Sequence, residues 1–210
     1  MSRTKIVLPR FAVGVDGWSR DVSRVASPNF DSRPAGTKID LLVIHNISLP
    51  PGQFGGHFIA DLFTSCLDCD AHSYFDQLRG VRVSAHFLIR RDGAVMQFVS
   101  AGDRAWHAGV SSFRERESCN DFSIGIELEG SDFEPFPDVQ YDTLAALTVA
   151  LQAAYPLTDV AGHSHIAPGR KTDPGPFFDW SGYHARYQRS LRLPQSSAIA
   201  AHSLRFHTSA

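Results

Sequence analysis

Between Gly162 and Trp180 the chain reads GHSHIAPGRKTDPGPFFDW, and no other stretch constrains its fold as tightly. Proline fixes φ and removes a backbone donor, so Pro168, Pro174 and Pro176, with Gly169 and Gly175, exclude a helix interior or a central strand. The segment is expected to be a shaped loop that holds side chains at set positions. It contributes an imidazole at His163 and a carboxylate at Asp173, both common zinc ligands, with Lys171 two residues before the carboxylate. A catalytic zinc site takes three protein ligands and keeps a fourth position open, so a third ligand is expected elsewhere. The best placed is His45, at the end of the apolar run Leu41-Leu42-Val43-Ile44.

That run, starting at Ile39 and interrupted only by Asp40, suits a strand buried on both faces. Functional groups gather outside the carboxyl ends of such strands, which separates His45 from an ordinary core histidine. Residues 46–80 open on a Pro- and Gly-rich loop. One short amphipathic helix is expected over His57–Phe63, and the remainder is an irregular wall of the kind that borders a site. His57 and His72 read as loop histidines.

Farther on, Ser84–Ile89 and Ala94–Val99 flank Arg90-Arg91-Asp92-Gly93, whose Asp-Gly pair signals a hairpin. The pair Trp106-His107 reads first as packing, and second as a pocket wall for a sugar or peptide. Phe122–Glu129 alternates Ile124, Ile126 and Leu128 with Gly125, Glu127 and Glu129, a strand of period two. One face enters the core and the other carries two carboxylates, either surface acids or a general base aimed into a cleft. A helix is expected over Asp138–Tyr155, with Asp138 as N-cap, a stripe of Tyr141, Leu144, Ala145, Thr148, Leu151 and Tyr155, and Pro156 as the stop. Asp159–Gly162 then leads to His163 as a second histidine at a strand end, and Tyr183–Leu191 suits a closing helix.

A chain of 210 residues supports one well-buried domain. The expected division is an N-terminal extension over 1–36, a domain over 37–192 and a tail over 193–210. A net charge of -2 gives no reason to expect nucleic acid or an anionic membrane as partner. No run approaches the roughly 18 apolar residues of a membrane span, and the basic start is broken by Pro9 and Arg10, a poor signal peptide. Three cysteines do not suggest a disulfide framework, and Cys66-x-x-Cys69 lacks a second pair to complete a structural metal site. These features together favour the cytoplasm.

Five separated motifs carry a resemblance: VIHNISLPPG at 43–52, RVSAHFLIRRDG at 82–93, RAWHAGVSSF at 104–113, NDFSIGIELEG at 120–130 and GHSHIAPGRKTDPGP at 162–176. From about Leu41 to Trp180 the chain resembles the AmpD branch of the N-acetylmuramoyl-L-alanine amidases, zinc amidases related to phage T7 lysozyme and the peptidoglycan recognition proteins. The resemblance implies a mixed α/β domain with one central sheet flanked by helices. It implies zinc (Zn2+) on His45, His163 and Asp173, catalytic roles for Glu127 and Lys171, and Asn46, Arg82 and Trp106 near substrate. The implied substrate is a 1,6-anhydro-N-acetylmuramyl peptide, cleaved at the lactyl–L-alanine amide during cell-wall recycling, with no obligate protein partner.

Such a set of groups permits amide hydrolysis. Glu127 can accept a proton from the attacking water and return it to the departing nitrogen, while zinc and Lys171 stabilise the developing oxyanion. A binding module of the same fold, recognising peptidoglycan without cleaving it, needs neither the third ligand nor the base. Both are present here.

Overall fold

The computed structural model describes residues 11–192 and 203–208. In chain order the strands are β1 (Ser23–Arg24), β2 (Phe30–Asp31), β3 (Leu41–Ile47), β4 (Phe87–Ile89), β5 (Val95–Gln97), β6 (Arg104–Ala105), β7 (Ser112–Phe113), β8 (Arg116–Glu117), β9 (Ser123–Glu129), β10 (Asp159–Gly162) and β11 (Arg205–Phe206). The helices are α1 (Phe58–Phe63), α2 (Asp138–Ala154), α3 (His163–Ile166) and α4 (Trp180–Leu191), with 3-10 turns at Ser73–Leu78 and Cys119–Asp121. Seven strands form one sheet in the order β1-β5-β4-β9-β3-β10-β11. All neighbours in it are parallel except β4 and β5. This is the expected mixed sheet.

β3 lies between β9 and β10, so Leu41, Leu42, Val43 and Ile44 are fully buried, as a continuous apolar run in a parallel sheet requires. The strand runs on to Ile47, so His45 and Asn46 lie within it rather than beyond its end. Alternation divides the two faces. Leu42, Ile44, Ile124, Ile126 and Leu128 join Leu144, Leu147, Leu151, Tyr183 and Tyr187 in the large core under α2 and α4. Each such side chain contributes about 1.5–3 kcal/mol by leaving water. Two smaller clusters cover the opposite face. One holds Leu88 with Ile59, Phe63, Phe75 and Phe98, and the other holds Leu41 and Val43 with Ala108, Phe113 and Ile166. The site lies between them.

The hairpin forms as expected: Ile89 pairs with Val95, Arg90 N–H donates to the Ala94 carbonyl at 2.8 Å, and Gly93 takes φ +84°. α1 buries Ile59, Leu62 and Phe63. α2 departs from expectation at its start, where Pro137 is the N-cap and Asp138 the first helical residue, without a side-chain cap bond. Its burial exceeds one stripe, because α4 packs on a second side. Thr148 Oγ1 meets Tyr183 Oη at 2.7 Å, and Tyr187 Oη donates to Gln152 at 2.6 Å.

The described residues of both flanks of the expected domain each add a strand to the sheet. In the N-terminal segment, β1 pairs with β5, and the Arg33 guanidinium donates to the carbonyls of Asn120, Asp121 and Ser123 at 2.8–2.9 Å. Burial lowers the Arg33 pKa to about 10. At the C-terminal end, where a tail is expected from 193, residues 203–208 instead supply β11, which pairs in parallel with β10. Asp159 anchors it, accepting from Arg205 at 2.9–3.0 Å and meeting His207 Nε2 at 2.9 Å. Residues 193–202, including His202, lie outside the described residues.

Candidate active site

Four segments converge on the open part of the sheet face. His45 stands on β3 in direct register with Glu127 on β9. His163 follows the end of β10 and opens α3, so the predicted loop begins with a strand end and a helical turn, becoming irregular only from Ala167. Asp173 comes from that loop. Ser164 N–H donates to the Asp173 carbonyl at 2.9 Å, while Arg170 donates to the Ala108 carbonyl at 3.0 Å, so the loop is tied on both sides. Gly175 has φ +83°, and a Cβ there would meet Asp132 at 2.3 Å, leaving no room for another residue.

His45 Nδ1, His163 Nδ1 and Asp173 Oδ2 form a triangle whose three edges are each 3.0 Å. These three residues are the group among the described residues able to hold a metal ion. Donors at zinc–ligand distances in a tetrahedral arrangement stand about 3.3 Å apart, so this set fits that ion closely. The chemistry of the donors agrees. His163 Nε2 lies 3.0 Å from the Ala108 carbonyl, which can only accept. The proton of the neutral ring is therefore on Nε2, and Nδ1 turns a bare lone pair towards Asp173. Lone pairs converging at 3.0 Å call for a cation.

Electrostatics follow from burial. His45 is 1% exposed, and burial together with the neighbouring His163 lowers its pKa to about 4, keeping the ring neutral and ligand-competent. Glu127 is 8% exposed; burial and the charge of Asp173 push its pKa well up, with Lys171 opposing. Its Oε2 has no hydrogen-bond partner among the described residues.

These groups open on a cleft of about 270 Å³ whose lining includes Asn46, Leu49, Tyr74, Trp106, Glu127 and Lys171. Lys171 and Asn46 also border a second hollow on the Asp132–Phe133 side. Asn46 Nδ2 donates to Asp132 at 2.7 Å. Arg82 does not line the cleft. It is exposed, with its guanidinium 5.4 Å from the Trp106 ring centre and Nε donating to Asn29 at 3.3 Å. The carboxylate face of β9 is closed over rather than open to solvent, and Glu129, 1% exposed, is held by Arg90 and by the N–H groups of Gly55 and Arg91.

His107, read in the sequence with Trp106 as packing or a pocket wall, has a contact with His45 that the sequence does not suggest. It is partly buried against His45, its Nδ1 2.9 Å from His45 Nε2, and desolvation holds it far below the ordinary imidazole pKa. A signal for it existed in Gly125, the gap in an otherwise filled strand: a Cβ there would fall 2.5 Å from the His107 ring. His57 is exposed and His72 is half-buried, its Nδ1 accepting from the Tyr74 N–H at 3.1 Å, and Cys66, Cys69 and Cys119 are free thiols.

The family described as N-acetylmuramoyl-L-alanine amidase matches residues 35–176. The 1,6-anhydro-N-acetylmuramyl-L-alanine amidase AmpD of Salmonella typhimurium (strain SL1344) is 56% identical over 171 residues, 80% of this chain and 91% of that relative. A crystal structure of a selenomethionine derivative of AmpD superposes with a TM-score of 0.78 at 55% identity, covering 81% of this chain and 97% of the other. The Escherichia coli amidase AmiD, in complex with the substrate anhydro-N-acetylmuramic acid-L-Ala-D-γ-Glu-L-Lys, superposes with a TM-score of 0.53 at 29% identity, covering 84% and 65%.

Proposed function

The chain belongs to the N-acetylmuramoyl-L-alanine amidase family, and we propose that His45, His163 and Asp173 hold its zinc, with Glu127 and Lys171 as the catalytic groups. It is an amidase of the AmpD branch, cleaving the lactyl–L-alanine amide of 1,6-anhydro-N-acetylmuramyl peptides in cell-wall recycling. The observation that carries the residue assignment is the unpaired Glu127 oxygen beside a triangle of converging lone pairs. A buried carboxyl with a raised pKa and no partner is costly to a fold, and such groups gather where protons are moved.

Zinc bound there supplies Lewis acidity and positive charge at the scissile amide. Glu127 takes the proton of the attacking water as the new C–O bond forms. It delivers that proton to the L-alanine nitrogen as the C–N bond breaks, so the leaving group departs as a neutral amine. Lys171, at the cleft mouth, places its ammonium beside the oxygen that gains charge. Trp106 and Asn46 form walls of the same cleft and are assigned to substrate contact, with the Arg82 guanidinium beside the Trp106 ring. Free thiols at Cys66, Cys69 and Cys119 suit a cytoplasmic protein acting on soluble fragments.

The test is purified protein offered anhydro-muropeptide and intact sacculi, with products identified by mass spectrometry. Stem peptide should appear from the soluble substrate. Release from sacculi alone, with fractionation outside the cytosol, would overturn the substrate and location assignments.

A further inference from the structure

A zinc-binding histidine must present a bare nitrogen, and a neutral imidazole has only one. His45 has nothing of its own that decides which nitrogen this is, because Nδ1 faces other lone pairs and Nε2 faces another histidine. The decision is made three groups away. Ser123 Oγ lies 2.5 Å from the Cys119 carbonyl oxygen, which has no proton to give. The serine must donate, since two oxygens at that separation without a proton between them would repel strongly. Its oxygen is then an acceptor for His107 Nε2, 3.2 Å away, so His107 carries its proton on Nε2. His107 Nδ1 is left bare and accepts from His45 Nε2 at 2.9 Å. His45 therefore keeps its proton on Nε2, and its Nδ1 lone pair points at His163 and Asp173.

We propose that His107 and Ser123 are positioning residues that fix His45 in its Nε2–H tautomer by relaying the polarity of the Cys119 carbonyl. The relay is built rigidly. The His107 ring fills the space over Gly125, and Asn120 Oδ1 accepts from the backbone N–H groups of His107 and Ala108 at 3.1 and 2.8 Å. The same carbonyl logic operates on His163 through Ala108, so both rings are oriented by backbone oxygens on the chain running from Trp106 to Ser123. The purpose of the relay rests on the metal assignment above; its geometry does not.

The experiment uses the full chain labelled with 15N-histidine, stripped of metal and then reloaded with zinc. Long-range proton–nitrogen spectra of the stripped protein should show His45 protonated on Nε2. In competition with a chromophoric chelator, His107→Leu should bind zinc about 10–100-fold more weakly, the usual scale for losing such a support. His107→Asn, whose Oδ1 stands where Nδ1 stood, should recover most of that loss, and Ser123→Ala should weaken binding less than His107→Leu. A wild-type His45 protonated on Nδ1 would overturn the relay. So would folded His107→Leu and Ser123→Ala proteins that bind zinc as tightly as wild type. Should His107→Leu fail to fold, Ser123→Ala and the wild-type spectrum decide. Wild-type protein that takes up no zinc removes the metal assignment, while its His45 spectrum still judges the relay.

Discussion

His45 stands directly across from Glu127 in the parallel register of β3 and β9, with both side chains on the face opposite the α2–α4 core. Two residues along that strand, Glu129 shares the face but not the situation. It binds Arg90 at 3.2 Å and accepts two backbone N–H groups, whereas Glu127 keeps an unpaired oxygen at the cleft. Glu127→Gln should therefore lower turnover about 10²-fold or more while retaining metal and muropeptide binding. Glu129→Ala should instead cost about 2–3 kcal/mol of stability, discounted because Arg90 reaches solvent, with turnover per folded molecule near wild type. Metal content, binding, melting and turnover on both variants check this. The reverse pattern would move the base to Glu129.

Metal removal is the second prediction. Chelation should abolish activity and added zinc restore it. His163→Ala and Asp173→Ala should each lose most bound metal, because two remaining ligands rarely hold zinc tightly. Metal analysis of the purified variants checks the assignment, and full occupancy in either would remove that residue from the set.

The buried Asp159 carboxylate gives a pH prediction away from the cleft. Burial raises its pKa, but donation from Arg205, His207 and Thr158 and the charge of Arg114 outweigh this and lower it to about 2. An unfolded aspartate titrates near 3.9, so its stabilising contribution is complete above that value and is lost as pH falls towards 2. Asp159→Asn should lower the melting temperature at pH 7 and flatten the fall of melting temperature between pH 5 and 2. Equal slopes for the two proteins would show that the 203–208 strand is anchored otherwise.

The strands of the sheet centre were legible because each left a period in the sequence: a continuous apolar run for β3 and strict alternation for β9. His163, Asp173 and His45 were legible as zinc-ligand types in a loop and at an apolar run, and the structure brings them within 3.0 Å. What was not legible depends on long-range packing. Burial of the polar face of β9 requires loops from 46–85 and 104–113 to close over it, which alternation alone reads as solvent. His107 acts through an atom sixteen residues away, and β11 has only two residues, too few for any period. Asp138 looked like a cap because the type is right. Pro137 took the position.

The last prediction concerns Lys171. Its side chain is exposed at the junction of the cleft and the outer hollow, and its backbone N–H is held by the Ala167 carbonyl at 3.1 Å. The loop is thus fixed by backbone bonds, and Lys171→Met should change stability by less than about 0.5 kcal/mol. A charge that meets only the developing oxyanion acts in the transition state, so kcat and kcat/KM should fall together by about 10²-fold. A charge that merely gathers an anionic peptide acts equally in the ground state, and its removal would raise KM and leave kcat alone. Steady-state kinetics on Lys171→Met therefore separate the two roles. An unchanged kcat with a raised KM would take Lys171 out of the chemistry and leave Glu127 as the remaining catalytic side chain.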